Sequence, residues 1–416
     1  MVEKPYKWLD GAKLEAHSQR KHKILREYFY QYLIVRCQNP RQLRFRLAIM
    51  DGFAGGGLYS SGEAGSPIIF VEELKKAVGS LNIERATQGT GLIEIECLLV
   101  LNDLSRDAIE LLKSNITPVL EEIKESEPRL HIRTHFMNDT FEAAYPEMKD
   151  LLNSGGYRNV LFNLDQCGHS HVKTAALTDI MRSYPSVEIF YTFAIQSLVT
   201  YLQQTNPAVL DKQLAHFGIT STDLNGTGEL TSKDTWLGAA ERMVFETFKA
   251  SASYTSPFSI NNPDGWRYWF VHFANSYRAR QVYNNTLHDN SSSQAHFGRA
   301  ALNMLSYDPR EDGALYLFDQ SGRASARSQL ANDIPRLVSE FGDTIGINNF
   351  YEHIYNATPA HADDIHQAMI DNPDIEVITP QGGERRKANT ITTDDIIKLK
   401  RQTSFFPMLN SKDKNN

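Results

Sequence analysis

The stretch RLAIMDGFAGGGLYSSGEAGSP, Arg46–Pro67, decides the fold. Arg46–Met50 is predicted to be a strand that ends at Asp51, and a glycine-rich turn follows it. A phosphate-binding P-loop is excluded, because Leu58 and Tyr59 follow the last of the clustered glycines where that loop needs Lys and Ser or Thr. The dinucleotide-binding pattern GxGxxG is also absent, so the turn is predicted to serve another ligand.

Strands and helices alternate downstream of this turn. The predicted helices include Ser18–Cys37 and one that begins at Ser66-Pro67, with Ser66 as its N-cap. This alternation is typical of a parallel, doubly wound α/β sheet. The predicted strands after Arg46–Met50 are Ile95–Asp103, Arg129–Asp139, Asn159–Asp165 and Val187–Ile195.

The rest of the chain predicts two further regions. Residues 201–262 are expected to form a mostly helical insertion, and strands within 263–345 are expected to complete the α/β domain that begins in residues 1–200. In residues 346–416, two short helices and a hairpin with a Gly-Gly-Glu-Arg-Arg-Lys tip indicate a small winged-helix domain and a tail.

Composition sets broad limits on the class of protein. The 416 residues are 41% hydrophobic and 22% charged, with a net charge of −7, so a uniformly basic nucleic-acid binder is excluded. Three widely spaced cysteines without CxxC pairing are typical of a cytoplasmic protein without a disulfide framework. The sequence lacks an apolar leader and any 18-residue apolar run, so we expect neither secretion nor membrane insertion.

The glycine-rich turn is typical of the first loop of S-adenosylmethionine-dependent methyltransferases. Because glycine has no Cβ, the backbone amides of such a turn can approach the methionine part of the cofactor closely. We therefore expect S-adenosylmethionine as the cofactor, with Asp51 positioning its ammonium group. The candidate cofactor-binding residues in this loop are Asp51, Gly52, Phe53, Ala54, Gly55 and Gly57.

Two more acids follow predicted strands and extend this cofactor site. Asp103 can accept hydrogen bonds from both ribose hydroxyls, and Asp139 can accept one from the adenine amino group. The alternative is that both acids cap the helices that follow them, because Asp is a favoured N-cap residue. The sequence leaves both interpretations open.

The fourth predicted strand ends at Asp165, at the edge where open α/β sheets bind ligands. Amino-methyltransferases usually carry Asp or Asn, two prolines and an aromatic residue here, whereas this chain has Gln166 and Cys167 after the acid. Asp165 is expected to face the methyl acceptor. Cys167 is either a nucleophile or a small buried residue without a role. The candidate catalytic residues are Asp165, Gln166 and Cys167.

Together these motifs resemble the three-Cys-motif partner (TcmP) family. The resemblance rests on KHKILREYFYQYL, DGFAGGGLYSSGEAGSP, FNLDQCG and the terminal winged helix. The family pattern has proline where this chain has Gly56 and Gln166. The resemblance implies a methyltransferase-type Rossmann domain with a winged helix, and a separate partner protein that bears a cysteine motif of radical S-adenosylmethionine type.

Basic residues indicate where nucleic acid could bind. Arg385, Arg386 and Lys387 at the hairpin tip suit phosphate contacts, with His366 or Gln367 as base-reading residues. A solvated turn or a protein-docking module remains the alternative. Basic side chains of the first helix and the segment after it could form a second basic face or only solvate the surface. They are Arg20, Lys21, Lys23, Arg26, Arg41, Arg44 and Arg46.

Three functions remain open from sequence. The first is a methyltransferase-like protein that binds S-adenosylmethionine and acts on nucleic acid together with a partner. The second is a non-catalytic platform for DNA, RNA or a partner enzyme in DNA modification or anti-phage defence, which Gln166 favours. The third is a metal-dependent nuclease that uses Asp165, His169 and His171. Apart from this hypothesis, we assign no metal ligands from the sequence.

Overall fold

The computed structural model describes Trp8 and residues 11–202, 205–225, 233–261, 267–290, 295–297 and 315–400. These residues divide into two compact units. The first unit contains the described residues up to 297 together with 315–318, and the second contains residues 319–400. The second unit therefore includes a long helix that the sequence analysis placed with the α/β domain.

The first unit is built around one large sheet. Its strands are β1 (Arg44–Asp51), β2 (Glu94–Asn102), β3 (Leu130–Met137), β4 (Asn159–Leu164), β5 (Ser186–Phe193), β6 (Tyr254–Asn261), β7 (Arg267–Ala274), β8 (Ala295–Phe297) and β9 (Leu315–Leu317). Their order across the sheet is β3-β2-β1-β4-β5-β7-β6-β8-β9. Strands β1 to β5 are parallel, and β7 runs antiparallel to β5. This is the doubly wound, methyltransferase-like Rossmann sheet that the sequence predicts.

Helices connect and flank these strands. They are α1 (Ala16–Arg36), α2 (Ser66–Thr87), α3 (Arg106–Ser126), α4 (Phe141–Gly155), α5 (Thr174–Ser183), α6 (Ile195–Tyr201), α7 (Pro207–Leu214), α8 (Ser221–Asn225), α9 (Lys233–Lys249) and α10 (Tyr277–Asp289). Leu47, Ala48, Ile49 and Met50 of β1 are all fully buried. A central parallel strand reads as a continuous apolar run because it is covered on both faces.

The strand order places a crevice next to the glycine-rich turn. The chain leaves β1 toward β2 on one side, and β4 pairs with β1 on the other, so the sheet changes direction between β1 and β4. Ligands of open α/β sheets bind outside the carboxyl ends of the strands at such a switch point. The loops after β1 and β4 therefore flank the expected ligand site.

Two local predictions differ from the structure. Residues 201–262 contain α7, α8 and α9 as expected, but their last part is strand β6, which pairs with β7. Pro257 and the buried polar Thr255 and Ser256 hide this strand in the sequence, because Pro is rare within sheets and the apolar alternation is lost. At the start of α2, Gly65 is the N-cap and Ser66 is the first helical residue.

The second unit is a winged-helix fold. Its elements are α11 (Gln320–Glu340), β10 (Thr344–Gly346), α12 (Ile347–Ile354), α13 (Ala362–Asp371), β11 (Ile375–Ile378) and β12 (Ile396–Leu399). The three strands form a separate antiparallel sheet in the order β10-β12-β11, and the segment between β11 and β12 is the wing. Among the described residues, none of the helices has the length and apolar character that crossing a membrane requires.

A buried carboxylate joins α11 to α13 in this unit. Asp364 is 1% exposed and accepts hydrogen bonds from Nε and Nη2 of Arg323, both at 2.8 Å, and from Nε of Arg327 at 2.7 Å. Burial acts to raise the pKa of Asp364, but the two guanidinium groups outweigh it and lower that pKa. The ionised carboxylate is therefore the form that links the two helices.

Replacing this carboxylate should weaken the second unit. We expect Asp364→Asn to lower its free energy of unfolding by about 1–3 kcal/mol, because both arginines lose a charged acceptor. The pKa of Asp364 is lower in the folded state than in the unfolded state. The stabilisation that its ion pairs provide is therefore fully present above about pH 4, the pKa of the unfolded state, and is lost as the pH falls further. Hydrogen exchange of the α13 amides in the full chain measures both effects. Asp333→Asn, which removes the Arg336 contact within α11, is the control; equal losses in the two variants would contradict this account.

Candidate functional site

Asp51 is the hydrogen-bonding centre of the crevice. It ends β1, is fully buried, and accepts at Oδ2 from Ser66 Oγ at 2.6 Å and from Asn163 Nδ2 at 3.1 Å. Its Oδ1 accepts from the backbone N–H of Phe53 at 3.2 Å. Burial raises the pKa of Asp51 to about 7, although the hydrogen bonds oppose this shift. The side chain thus joins the glycine-rich turn to β4 and to the start of α2.

This contact also explains the boundary of α2. The sequence predicts that Ser66 caps the helix with its hydroxyl, but the hydroxyl donates to Asp51 instead. Gly65 takes the cap position with extended backbone, and its N–H donates to the carbonyl of Gly57 at 2.7 Å. The start of α2 is therefore fixed by the turn that it closes.

Asn102, the last residue of β2, ties the other two loops together. Its Nδ2 donates to the carbonyls of Gly52 at 3.1 Å and Asp139 at 3.0 Å. Its Oδ1 accepts from the N–H of Asp139 at 3.2 Å, and its carbonyl accepts from the N–H of Ala54 at 2.8 Å. The segments after β1, β2 and β3 consequently form one hydrogen-bonded edge.

Asp103 lies beside the glycine-rich turn, as the cofactor interpretation requires. Its Oδ2 accepts from the N–H of Gly55 at 2.9 Å, and its Oδ1 accepts from the N–H of Ser105 at 2.8 Å. Burial raises its pKa despite these two hydrogen bonds, and the side chain remains half-exposed. A carboxylate has about four acceptor positions, so capacity remains for a ligand.

The helix-capping alternative for the two acids is not what the structure shows. The N-cap of α3 is Ser105, whose hydroxyl accepts from the N–H of Ala108, and the N-cap of α4 is Thr140, which accepts from Ala143. Asp139 is exposed, and its Oδ1 accepts from the adjacent N–H of Thr140 at 2.7 Å. Both acids therefore precede the caps rather than acting as them.

Trp8 packs on the backbone of the glycine-rich turn. Gly55 has a positive φ of 61°, and a Cβ there would overlap the Trp8 indole. A Cβ on Gly56 would lie 2.7 Å from Cε3 of the same ring. The indole also lies 5.2 Å from the ring of Tyr59, measured between centroids. Bare glycine backbone is thus used here for close approach of an aromatic ring.

Asp165 follows β4 directly and is paired with a lysine. Its Oδ1 accepts from Nζ of Lys21 at 2.5 Å, and this lysine lies on α1 and is 5% exposed. Burial acts to raise the pKa of Asp165, but the Lys21 ammonium outweighs it and the pKa is lowered. Asp165 is therefore an ionised carboxylate in an ion pair whose lysine is buried and whose carboxylate is partly exposed.

Gln166, the second catalytic candidate, is bonded to its own loop and to β5. It is 2% exposed, donates from Nε2 to the Tyr191 hydroxyl at 2.8 Å, and accepts at Oε1 from the N–H groups of His171 and Val172. These three bonds shape the segment where the resembling family has a proline. Gln166 thus holds the loop that follows β4.

Cys167 and the two nearby histidines have separate surroundings. Cys167 is half-buried and is not part of a disulfide. His169 is partly buried, which lowers its pKa together with the charges of His216 and His171, whereas His171 is exposed. Within the described ranges, no group of three or more His, Cys, Asp or Glu side chains is arranged to hold a metal ion. The nuclease hypothesis therefore has no metal cluster at Asp165, His169 and His171.

The wing of the second unit uses one of its three basic residues internally. Arg385 donates from Nε and Nη2 to the two oxygens of Asp395, at 2.9 and 3.0 Å, and this carboxylate is 1% exposed. Arg386 and Lys387 are exposed next to it. The basic surface of the wing is therefore carried by these two side chains.

The outer face of α13 is poorly suited to reading DNA bases. Asp363 and Asp371 are exposed on it, and Gln367 donates to Oδ1 of Asp371 at 2.8 Å. His366 contacts the Tyr351 hydroxyl at 2.5 Å. Negative charge on this helix opposes entry into a groove lined by phosphates. Of the predicted nucleic-acid residues, the wing pair is better placed than the helix.

The proposed basic face of the first unit is largely neutralised. Arg26 pairs with Glu72 and Glu73, and Arg44 and Arg46 both pair with Glu96. Lys21 is buried against Asp165. This part of the chain therefore offers less free positive charge than its sequence suggests.

The structure brings Asp51, the glycines, Asp103, Asp139 and Asp165 to one sheet edge, while the wing residues lie in the other unit. Sequence reasoning missed the supporting polar residues. Two sequence patterns could have indicated them. One is a polar residue near the end of an otherwise apolar strand, as in LND and NLD, and the other is a Lys-His pair on an amphipathic helix. Asn102 and Asn163 were not predicted at all, and Lys21 and Ser66 were predicted in other roles.

The fold and this site define a protein with a methyltransferase-like Rossmann domain and a winged-helix unit. A family model described as a GMT-like wHTH domain matches residues 306–382, which include α11, α12, α13 and β11. No curated protein matches the chain.

The packing of Trp8 on the turn predicts that a glycine-to-alanine change lowers stability more under the indole than elsewhere in the turn. We expect Gly55→Ala to destabilise the first unit more than Gly62→Ala. Both glycines have positive φ, which costs an alanine about 1–2 kcal/mol, but the space around Gly62 is open. Urea unfolding followed by tryptophan fluorescence compares the two variants. Equal destabilisation would show that Trp8 does not occupy the turn.

Proposed function

We propose that this protein binds S-adenosylmethionine in the crevice between β1 and β4 and methylates nucleic acid that its winged-helix unit contacts. The observation that carries the proposal is the hydrogen-bonded edge at the switch point of a methyltransferase-like sheet. That edge joins the glycine-rich turn to the loops of Asp103, Asp139 and Asp165. In open α/β sheets this is the place where a nucleotide-like ligand binds.

The residues present fit the cofactor part by part. Trp8 packs on Gly55 and Gly56, so the methionine portion would reach this backbone only by displacing the indole or by approaching the turn beside it. Asp103 retains acceptor capacity for the ribose hydroxyls. Leu104, which is 68% exposed, offers an apolar side chain to the adenine face. Asn138 Nδ2 holds this residue by donating to the carbonyls of Asp103 and Leu104.

When bound, S-adenosylmethionine would supply an electrophilic methyl group to the lone pair of the acceptor, with S-adenosylhomocysteine as the leaving group and the acceptor proton passing to solvent water. Asp165 accepts a hydrogen bond from the acceptor and so orients its lone pair. Gln166 holds the loop that carries Asp165. The resemblance to three-Cys-motif partner proteins adds a separate cysteine-motif protein as the expected partner.

A second candidate function is a non-catalytic platform that binds nucleic acid or a partner enzyme in DNA modification or anti-phage defence. Gln166 favours this second function. The hydrogen bonds described for its side chain all go to other residues of this protein, so none of them is left for a substrate. Cofactor binding without methyl transfer to DNA or RNA, with partner present, would support this candidate.

The cofactor assignment predicts the effect of removing one carboxylate. We expect Asp103→Ala to weaken S-adenosylmethionine binding by about tenfold to a hundredfold, the range for charge-assisted hydrogen bonds to the ribose. Isothermal titration calorimetry measures the change. Asp107→Ala, an exposed acid in the first turn of α3, is the matched control and should bind normally. A folded wild-type protein that does not bind the cofactor would overturn the methyltransferase proposal.

The wing predicts a salt-dependent contact with nucleic acid. We expect Arg386→Glu/Lys387→Glu to lower affinity for duplex DNA by about tenfold or more and to reduce the slope of log affinity against log salt by roughly 2. Fluorescence anisotropy over a salt series gives both values. Lys13→Glu/Lys23→Glu changes the charge equally at exposed lysines of the first unit. If both doubles have the same effect, the wing is not the contact surface.

A further inference from the structure

Lys21 is placed unlike the other basic residues of α1. Its side chain is 6% exposed, and its Nζ lies 2.5 Å from Oδ1 of Asp165. Lys23, two residues on, is exposed to solvent. The helix thus directs one lysine into the carboxyl edge of the sheet and leaves another outside.

The surroundings of the pair add no second full charge. His22 is 8% exposed, and burial lowers its pKa to about 4 despite the nearby Asp165 charge, so its ring is neutral near pH 7. Asp51 carries the raised pKa described above, and the charge of Asp165 is one of its causes. The Asp165 charge therefore reaches the cofactor loop, and Lys21 is the cation that balances it.

Folding stability alone is a weak reason for this arrangement. Removing two charges from water costs several kcal/mol per ion, and apolar residues of similar volume often replace a buried pair without loss. Buried charge pairs with shifted pKa values cluster at functional sites. The pair also lies at the ligand-binding edge, directly after β4, rather than within the hydrophobic core.

We propose that Lys21 is a positioning residue of the methyl-transfer site: it fixes the Asp165 carboxylate and keeps the net charge of the acceptor side at zero. This inference rests on the proposed function. It assigns the acceptor to a neutral group that donates one hydrogen bond to Asp165, such as an amino or hydroxyl group. It also means that the site discriminates little by charge between the cationic cofactor and its neutral product.

The net charge of the Lys21–Asp165 pair can be tested in the absence of a methyl acceptor. S-adenosylmethionine carries a sulfonium charge, whereas S-adenosylhomocysteine does not, so the ratio of their dissociation constants reports the local electrostatic potential. Calorimetry at pH 6, where Asp51 with its pKa of about 7 is largely protonated, would compare both ligands for the wild type, Lys21→Met, Asp165→Asn and the double variant. Lys21→Arg tests conservative rescue, and Lys23→Met is the exposed control.

We expect the two single variants to move the ratio in opposite directions. Lys21→Met leaves an unbalanced carboxylate and should favour S-adenosylmethionine by about fivefold to tenfold, and Asp165→Asn should favour S-adenosylhomocysteine by a similar factor. Lys21→Arg, Lys23→Met and the double variant should keep the wild-type ratio. The double variant also covers the case in which a lone buried charge prevents folding.

Two results would overturn the inference and can be told apart. If the single variants lose stability but keep the wild-type ratio, the pair has only a structural role and the proposed function stands. If the folded wild-type protein binds neither ligand, the proposed function fails, and the role of Lys21 fails with it.

Discussion

The Asp51 carboxylate accepts hydrogen bonds from three chain segments, and the shape of the crevice depends on it. Ser66 at the start of α2, Asn163 in β4 and the N–H of Phe53 all donate to this one buried group. A buried carboxylate requires such partners, since an unpaired one would cost several kcal/mol. The glycine-rich turn, the start of α2 and the fourth strand are thereby held in one geometry, and Asn102 extends this edge to the segment after the third strand.

The same sheet edge combines a glycine-rich turn and two acids with a differently built segment after β4. The turn is bonded to Asp103 directly and to Asp139 through Asn102, and the helices that follow are capped by Ser105 and Thr140. The segment after β4 is different, because Gln166 bonds to its own loop and Asp165 is paired with Lys21.

The winged-helix unit shows why a basic motif is a poor measure of a basic surface. Arg385 holds the wing through Asp395, while Arg323 and Arg327 hold α13 through Asp364. Each of these arginines faces a buried carboxylate, so its charge is used within the unit. The exposed face of α13 carries Asp363 and Asp371. The outward positive charges of the wing are Arg386 and Lys387, and the acids Glu384 and Asp394 are exposed on the same segment.

The sequence by itself determined the α/β sheet, the glycine-rich turn and the strand-end acids, because apolar strand runs and glycine patterns are local signals. It also predicted the winged helix from the order of two helices and a hairpin. Tertiary structure alone decided the burial of Lys21, the internal use of Gln166 and Arg385, and the strand at Tyr254–Asn261. The physical reason is that an ion pair between residues 21 and 165, or a strand paired on both sides, depends on partners far along the chain.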